Sequence, residues 1–176
     1  MILQNGIQML DQFEDKKARN IIVGLIAGGG FLGFIGLTLP YLIIYNYSGS
    51  GISLTFDVFS LSYIESIPQA IGNLLAITTS IGLYSYSKAI PKNKEKASKK
   101  FERLIFFIVS SVICSVIGLG FTIYDIVESI LAILEVGSGE TLYLGIGFYF
   151  SVIGPLLVFV GVYNLVKLRK RLFLPY

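Results

Sequence analysis

Four long apolar runs, at about 21–45, 64–86, 104–124 and 143–166, alternate along the chain with shorter polar stretches. Each holds roughly 21–25 residues, enough for a helix rising 1.5 Å per residue to cross about 30 Å of hydrocarbon. The first and fourth contain no charged residue, while Glu65 stands at the edge of the second and Asp125 at the edge of the third. The pattern predicts an all-α membrane protein, a four-transmembrane-helix bundle over 21–166. Span three is expected to run on as an amphipathic helix to about 135.

The segments between the runs carry weaker signals. Residues 1–20 form an N-terminal segment with Leu3, Ile7, Leu10 and Phe13 near one helical face, which reads as a short interfacial helix or frayed tail, or as a docking helix for a partner. In the connection 46–63, Ile52, Leu54, Phe56 and Val58 alternate with Ser53, Thr55 and Asp57, the signature of a short outer strand-like loop. Such a strand needs a partner, either the second outer connection or another subunit. Residues 167–176 are a basic tail. The first run is too long for the apolar core of a signal peptide, so cleavage is not expected.

At about 100° per residue, each span sorts into faces. In span one, Gly29, Gly33 and Gly36 share a face with Pro40, and Gly24 and Gly28 lie on the opposite side. Span two gathers Glu65, Gln69, Gly72, Asn73, Ala76, Thr79 and Ser80 on one side, with Pro68 suited to a first helical turn. Span three gathers Ser110, Ser111, Cys114, Ser115, Gly118 and Thr122, with Asp125 and Glu128 continuing the face. In span four Gly147, Ser151, Gly154 and Gly161 line up. Small residues let helices approach closely in lipid, where dispersion and interhelical hydrogen bonds replace the hydrophobic effect. These faces therefore predict tight packing, and the two glycine faces of span one predict two grooves, one for the bundle and one for something outside it.

Two of the faces also carry polar groups. Turned inward, Glu65, Gln69 and Asn73 would meet Thr122, Asp125 and Glu128 near the outer end of the bundle. Ionisable residues at membrane depth are functional candidates. The bland reading is a water-accessible rim; the sharper one is an ion or proton vestibule.

Composition and charge then fix the class and the orientation. Hydrophobic residues make up 54% of the 176 and charged residues only 14%, against about a quarter charged in soluble domains. All 14 Lys and Arg precede span one, fill the connection between spans two and three, or follow span four. The two other connections hold acids alone. The positive-inside rule places both termini and the 87–103 loop in the cytoplasm, and the plasma membrane is the expected location. Lys92, Lys94, Lys96, Lys99, Lys100 and Arg103 in that loop are expected to contact anionic headgroups, at about 1 kcal/mol each. The loop lacks interleaved aromatics, so nucleic acid is not an expected partner.

Candidate chemistry narrows quickly. The chain has no His and one Cys, Cys114. It therefore has no imidazole metal or haem ligand, no His-paired nucleophile and no dithiol relay. The stretch Gly28–Gly33, GGGFLG, fits G-x-G-x-x-G, but it lies inside one apolar run with no acidic residue at 46–56. A dinucleotide fingerprint needs a strand before the glycines and an acid about 20 positions on. No cofactor or metal is expected. The surplus of packing faces over catalytic groups favours a non-catalytic subunit, an accessory, assembly or structural partner of other membrane proteins or of itself. The alternative is a small channel or transporter using the outer polar groups. The high Ile and Tyr content without His suggests a thermophilic, archaeal source.

Overall fold

The structure, a computed structural model, describes residues 2–46, 53–56, 63–88, 94–136 and 140–173. Among them are four helices, α1 (Ile2–Thr38), α2 (Tyr63–Lys88), α3 (Lys94–Val136) and α4 (Ile146–Leu172). Three strands, β1 (Leu42–Asn46), β2 (Ser53–Phe56) and β3 (Glu140–Leu144), complete the described elements. The fold is all-α in class. Three helical stretches, Glu14–Thr38, Glu95–Glu128 and Ile146–Arg169, are long and apolar enough to cross a membrane. The second helix is long enough but too polar to count with them, because Gln69, Asn73, Thr79 and Ser80 lie within it.

Helix ends differ from the apolar runs for local reasons. Run one extends to 45, but α1 stops at Thr38. Pro40 lacks an N–H and disfavours helical geometry at Leu39, and the Leu39 N–H turns back to the Gly36 carbonyl at 3.4 Å. Leu42–Asn46 (LIIYN), rich in Ile and Tyr, then continues as β1. Run four begins at 143, but its first residues belong to β3 and the helix starts at Ile146. The segment 1–20 is no separate short helix, since α1 runs unbroken from Ile2. Pro68 lies well inside α2 rather than in its first turn. The 87–103 connection is helical from Lys94 onward, as the opening turns of α3.

The strand-like loop is part of a three-stranded antiparallel sheet in the order β2-β1-β3. Leu42 of β1 faces Phe56 on one side and Leu144 on the other. Thus the second outer connection does supply a strand, and the end of run one supplies the central one. The Gly145 N–H donates to the Tyr41 carbonyl (2.8 Å) and the Gly147 N–H to the Pro40 carbonyl (2.9 Å). These bonds tie the exit of α1 to the entry of α4.

The helices alternate in direction, and the sheet closes one end of the bundle. The most extensive packing is between α1 and α4, followed by α2 with α3 and α1 with α2. The α1–α4 contact brings backbones together. A Cβ at Gly29 would fall 2.6 Å from the Gly154 carbonyl oxygen, and one at Gly36 2.6 Å from the Ser151 nitrogen. Nothing larger than hydrogen fits there.

At the end opposite the sheet, Tyr86, Phe101 and Phe173 are buried together, the last two stacked with centroids 5.4 Å apart. The Tyr86 hydroxyl donates to the Phe173 carbonyl at 2.9 Å and lies 3.2 Å from that of Ala97. It thereby joins the end of α2 to the start of α3 and the end of α4. These rings belong to one apolar cluster, with Ile22, Ile26, Ile108, Val158 and Leu165. A second, smaller one, Leu37, Tyr41 and Ile126, lies toward the sheet. Most large apolar side chains on the other faces of α3 and α4 are exposed, Phe106, Ile117 and Tyr124 among them.

The glycine contacts set an expectation. Gly154→Ala should lower stability by about 1–3 kcal/mol through overpacking. Gly120→Ala, whose Cβ would meet nothing within 4 Å, should change it by at most about 1 kcal/mol, in the stabilising direction. The midpoint of SDS-induced unfolding in mixed micelles reads both.

Candidate functional site

Between the two apolar clusters lies a layer of buried polar side chains drawn from α2, α3 and α4. Gln69, Asn73, Ser111, Ser115, Thr122 and Ser151 are all buried. In lipid a polar group without a protein partner is costly, and the layer's geometry follows from how these groups are matched.

α4 provides the first case. Pro155 lies inside the helix, and proline has no N–H to donate to the carbonyl four residues back. That carbonyl belongs to Ser151. Gln69 Nε2 of α2 donates to it at 3.1 Å, a buried bond between two helices. The α4 backbone defect thus becomes an interhelical contact. One turn further along α2, Asn73 Oδ1 accepts from Ser115 Oγ of α3 at 3.3 Å. Asn73 also fills the space beside Gly33 of α1, where a Cβ would fall 2.7 Å from its Oδ1. The polar stripe of α2 therefore touches all three other helices.

Glycines admit these side chains. A Cβ at Gly72 would fall 2.6 Å from the Ser111 carbonyl oxygen, and one at Gly118 would collide with the Gln69 backbone nitrogen. A Cβ at Gly30 would fall 3.0 Å from that of Ala76. Ser111 and Thr122 turn their hydroxyls back onto their own helix, to the carbonyls of Ile108 (2.7 Å) and Gly118 (3.0 Å). Among the described residues, the buried atoms Gln69 Oε1, Asn73 Nδ2, Ser151 Oγ and Tyr41 Oη have no hydrogen-bond partner. Tyr41 and Ser151 lie side by side, without hydrogen-bond geometry between them. The groups are amides and hydroxyls, suited to holding helices or a neutral polar molecule rather than to moving protons at neutral pH.

Not every sequence candidate enters this layer. Gln69, Asn73 and Thr122 do; Asp125 is half-buried and Glu128 is exposed. The inward stripe of α3 runs through Ser111, Ser115, Gly118, Thr122 and Ile126. Glu128 stands about 200° from Ile126 at about 100° per residue, so the expected meeting with Glu128 does not occur. The Glu65 side chain lies outside the described residues.

Of the packing candidates, Gly29, Gly33, Gly36, Gly72, Ala76, Gly118, Gly147, Ser151, Gly154 and Gly161 are buried, whereas Ser110 and Cys114 are half-buried. Gly24 and Gly28 are exposed, and a Cβ on either would meet nothing within 4 Å. Among the basic candidates, Lys96, Lys99, Lys100 and Arg103 are exposed on α3, with Lys99 paired to Glu95 at 2.7 Å. Lys92 and the Lys94 side chain lie outside the described residues.

Sequence reasoning passed over Pro155 and Tyr86. For Pro155 the signal was available: a proline inside an apolar run marks the carbonyl four residues earlier as unsatisfied. Tyr86 carried none, because its role depends on the α2, α3 and α4 ends meeting. Among the described residues no group of Cys, Asp and Glu could hold a metal ion. No protein-family model matches the sequence, and no curated protein does.

The Pro155–Gln69 relation can be tested by a double-mutant cycle. Gln69→Leu should cost about 1 kcal/mol, within the range of hydrogen bonds between membrane helices. In a Pro155→Ala background the restored backbone N–H satisfies the Ser151 carbonyl, so the same change should cost measurably less. Additive losses in SDS unfolding would refute the coupling.

Proposed function

We propose that this chain is a four-helix integral membrane protein acting as an accessory or assembly subunit, docked through α1 to a transmembrane helix of another subunit. The observation that carries the reading is the unequal use of two glycine pairs with the same spacing. Gly29 and Gly33 face inward, where α4 comes so close that a Cβ at Gly29 would be 2.6 Å from the Gly154 carbonyl. Gly24 and Gly28 repeat the spacing on the outside with open space before them. Two small residues four apart form a common close-packing notch for a helix in lipid. Ile21 (53% exposed) and Phe31 (59% exposed) flank the notch on the same stripe, so a docked helix would gain apolar contact at both ends.

In this reading α2 also crosses the bilayer. Gln69, Asn73, Thr79 and Ser80 are shielded by the other helices, while Ile67, Ile71, Leu74 and Ile81 are exposed. The basic end faces the cytoplasm, following the distribution of Lys and Arg.

A second reading, a small channel or transporter, draws support from the four unpartnered polar atoms inside the bundle. The two separate experimentally. Gly24→Leu with Gly28→Leu should abolish co-purification of a membrane partner, or self-association, while helicity and unfolding midpoint are kept. If assembly persisted, and ion flux in liposomes were lost in a folded Asn73→Leu variant, the second reading would replace the first.

Orientation has its own check. In a Cys114→Ser background, Tyr143→Cys near the sheet should react with a membrane-impermeant maleimide in intact cells. Lys99→Cys should react only after permeabilisation. The reverse pattern would overturn the assigned topology.

A further inference from the structure

At the basic end, α1 and α2 enclose a cavity of about 470 Å³ lined by Lys16, Arg19, Asn20, Tyr84, Ser87 and Lys88. We infer that it is a binding site for the phosphate of an anionic phospholipid headgroup, distinct from the exposed lysines of α3. Among the described residues its lining combines three cations with neutral hydrogen-bonding groups and includes no carboxylate. The acids of α1 whose side chains are described, Glu14 and Asp15, line a different, smaller cavity of about 170 Å³ with Ala18 of α1 and Leu168 and Leu172 of α4. α1 thus sorts its charges by face, with the positive face toward α2.

The cations are also held in place. Arg19 Nη1 donates to the Ser87 carbonyl at 3.3 Å, which fixes one edge of the guanidinium and leaves a planar fork suited to phosphate. Lys88 Nζ sits 4.3 Å from the centroid of the Tyr84 ring, a cation–π contact that steadies a flexible side chain. By contrast, Lys99 on α3 already pairs with Glu95.

The surroundings favour a lipid over free phosphate. A neighbouring cavity of about 380 Å³ shares Lys16 and Asn20 and adds Lys17 and Ile21. It leads from the charged groups to the exposed apolar side chain of Ile21, one turn before the Gly24–Gly28 notch. A headgroup phosphate in the first cavity would therefore have an apolar surface beside it for an acyl chain. The inference rests on the membrane-spanning reading above, and the maleimide labelling fails or succeeds independently of the measurement below.

The test titrates the purified full chain in dodecylmaltoside with dioctanoyl phosphatidylglycerol, dioctanoyl phosphatidylcholine or inorganic phosphate. Saturable binding of the phosphatidylglycerol alone is expected. At about 1 kcal/mol per charge, Lys16→Gln should weaken it about fivefold and Arg19→Gln with Lys88→Gln about 30-fold. Lys99→Gln with Lys100→Gln should leave it unchanged. Lys16→Gln keeps the Arg19–Ser87 bond, so its loss of affinity cannot be traced to that contact. Equal weakening by the two double variants, equal binding of phosphatidylcholine, or binding of inorganic phosphate with the same affinity would each overturn the assignment.

Discussion

The contact between the α1 and α4 backbones is the constraint on which the rest of the structure depends. It exists because Gly29, Gly33, Gly36, Gly147 and Gly154 remove every Cβ that would hold the two helices apart. Dispersion falls off steeply with distance, so contact at this range draws on many atom pairs that a bulkier seam would forfeit. The chain's first and last described helices are thereby locked side by side. With their ends in register, β1 and β3 can pair directly, and the Gly145 and Gly147 N–H groups reach Tyr41 and Pro40. Glycine lowers intrinsic helix propensity by about 1 kcal/mol per residue, a cost offset here by the close approach it permits.

The same seam decides where the polar layer forms. Once α4 lies against α1, Pro155 turns the Ser151 carbonyl into an acceptor facing α2, and Gln69 fills the gap. Asn73 is then seated between Gly33 and Ser115. Within this layer the soluble pattern is inverted, with amides and hydroxyls inside and Ile, Phe and Val exposed on the outer faces. This also explains why α2 alone among the four described helices lacks a stretch apolar enough to count as a span by composition. Gln69, Asn73, Thr79 and Ser80 are buried among the other helices, while Ile67, Ile71, Leu74 and Ile81 face outward.

Much of this was legible in the chain. Four helices, their approximate places and their alternating direction follow from hydrophobic run length and the clustering of Lys and Arg. The inward grouping of Gln69, Asn73, Ser115 and Thr122 follows from helical periodicity. Periodicity failed where the phase had to be extended too far. Placing Glu128 on the face of Thr122 ignored the drift that sends Ile126 inward instead. Run length failed at Pro40 and Gly145, because hydropathy does not distinguish a helix from a strand.

What the sequence alone determined is the part that acts locally: apolar length, charge distribution, and the proline and glycine positions that end or notch a helix. What only the tertiary structure decided is which notch is filled. Gly24 and Gly28 have the same spacing and chemistry as Gly29 and Gly33, and nothing within α1 ranks one pair over the other. The choice belongs to α4, whose glycines match the inner pair while its ends are tied to α1 by the sheet. A packing surface needs two complementary sides, and a sequence presents only one at a time.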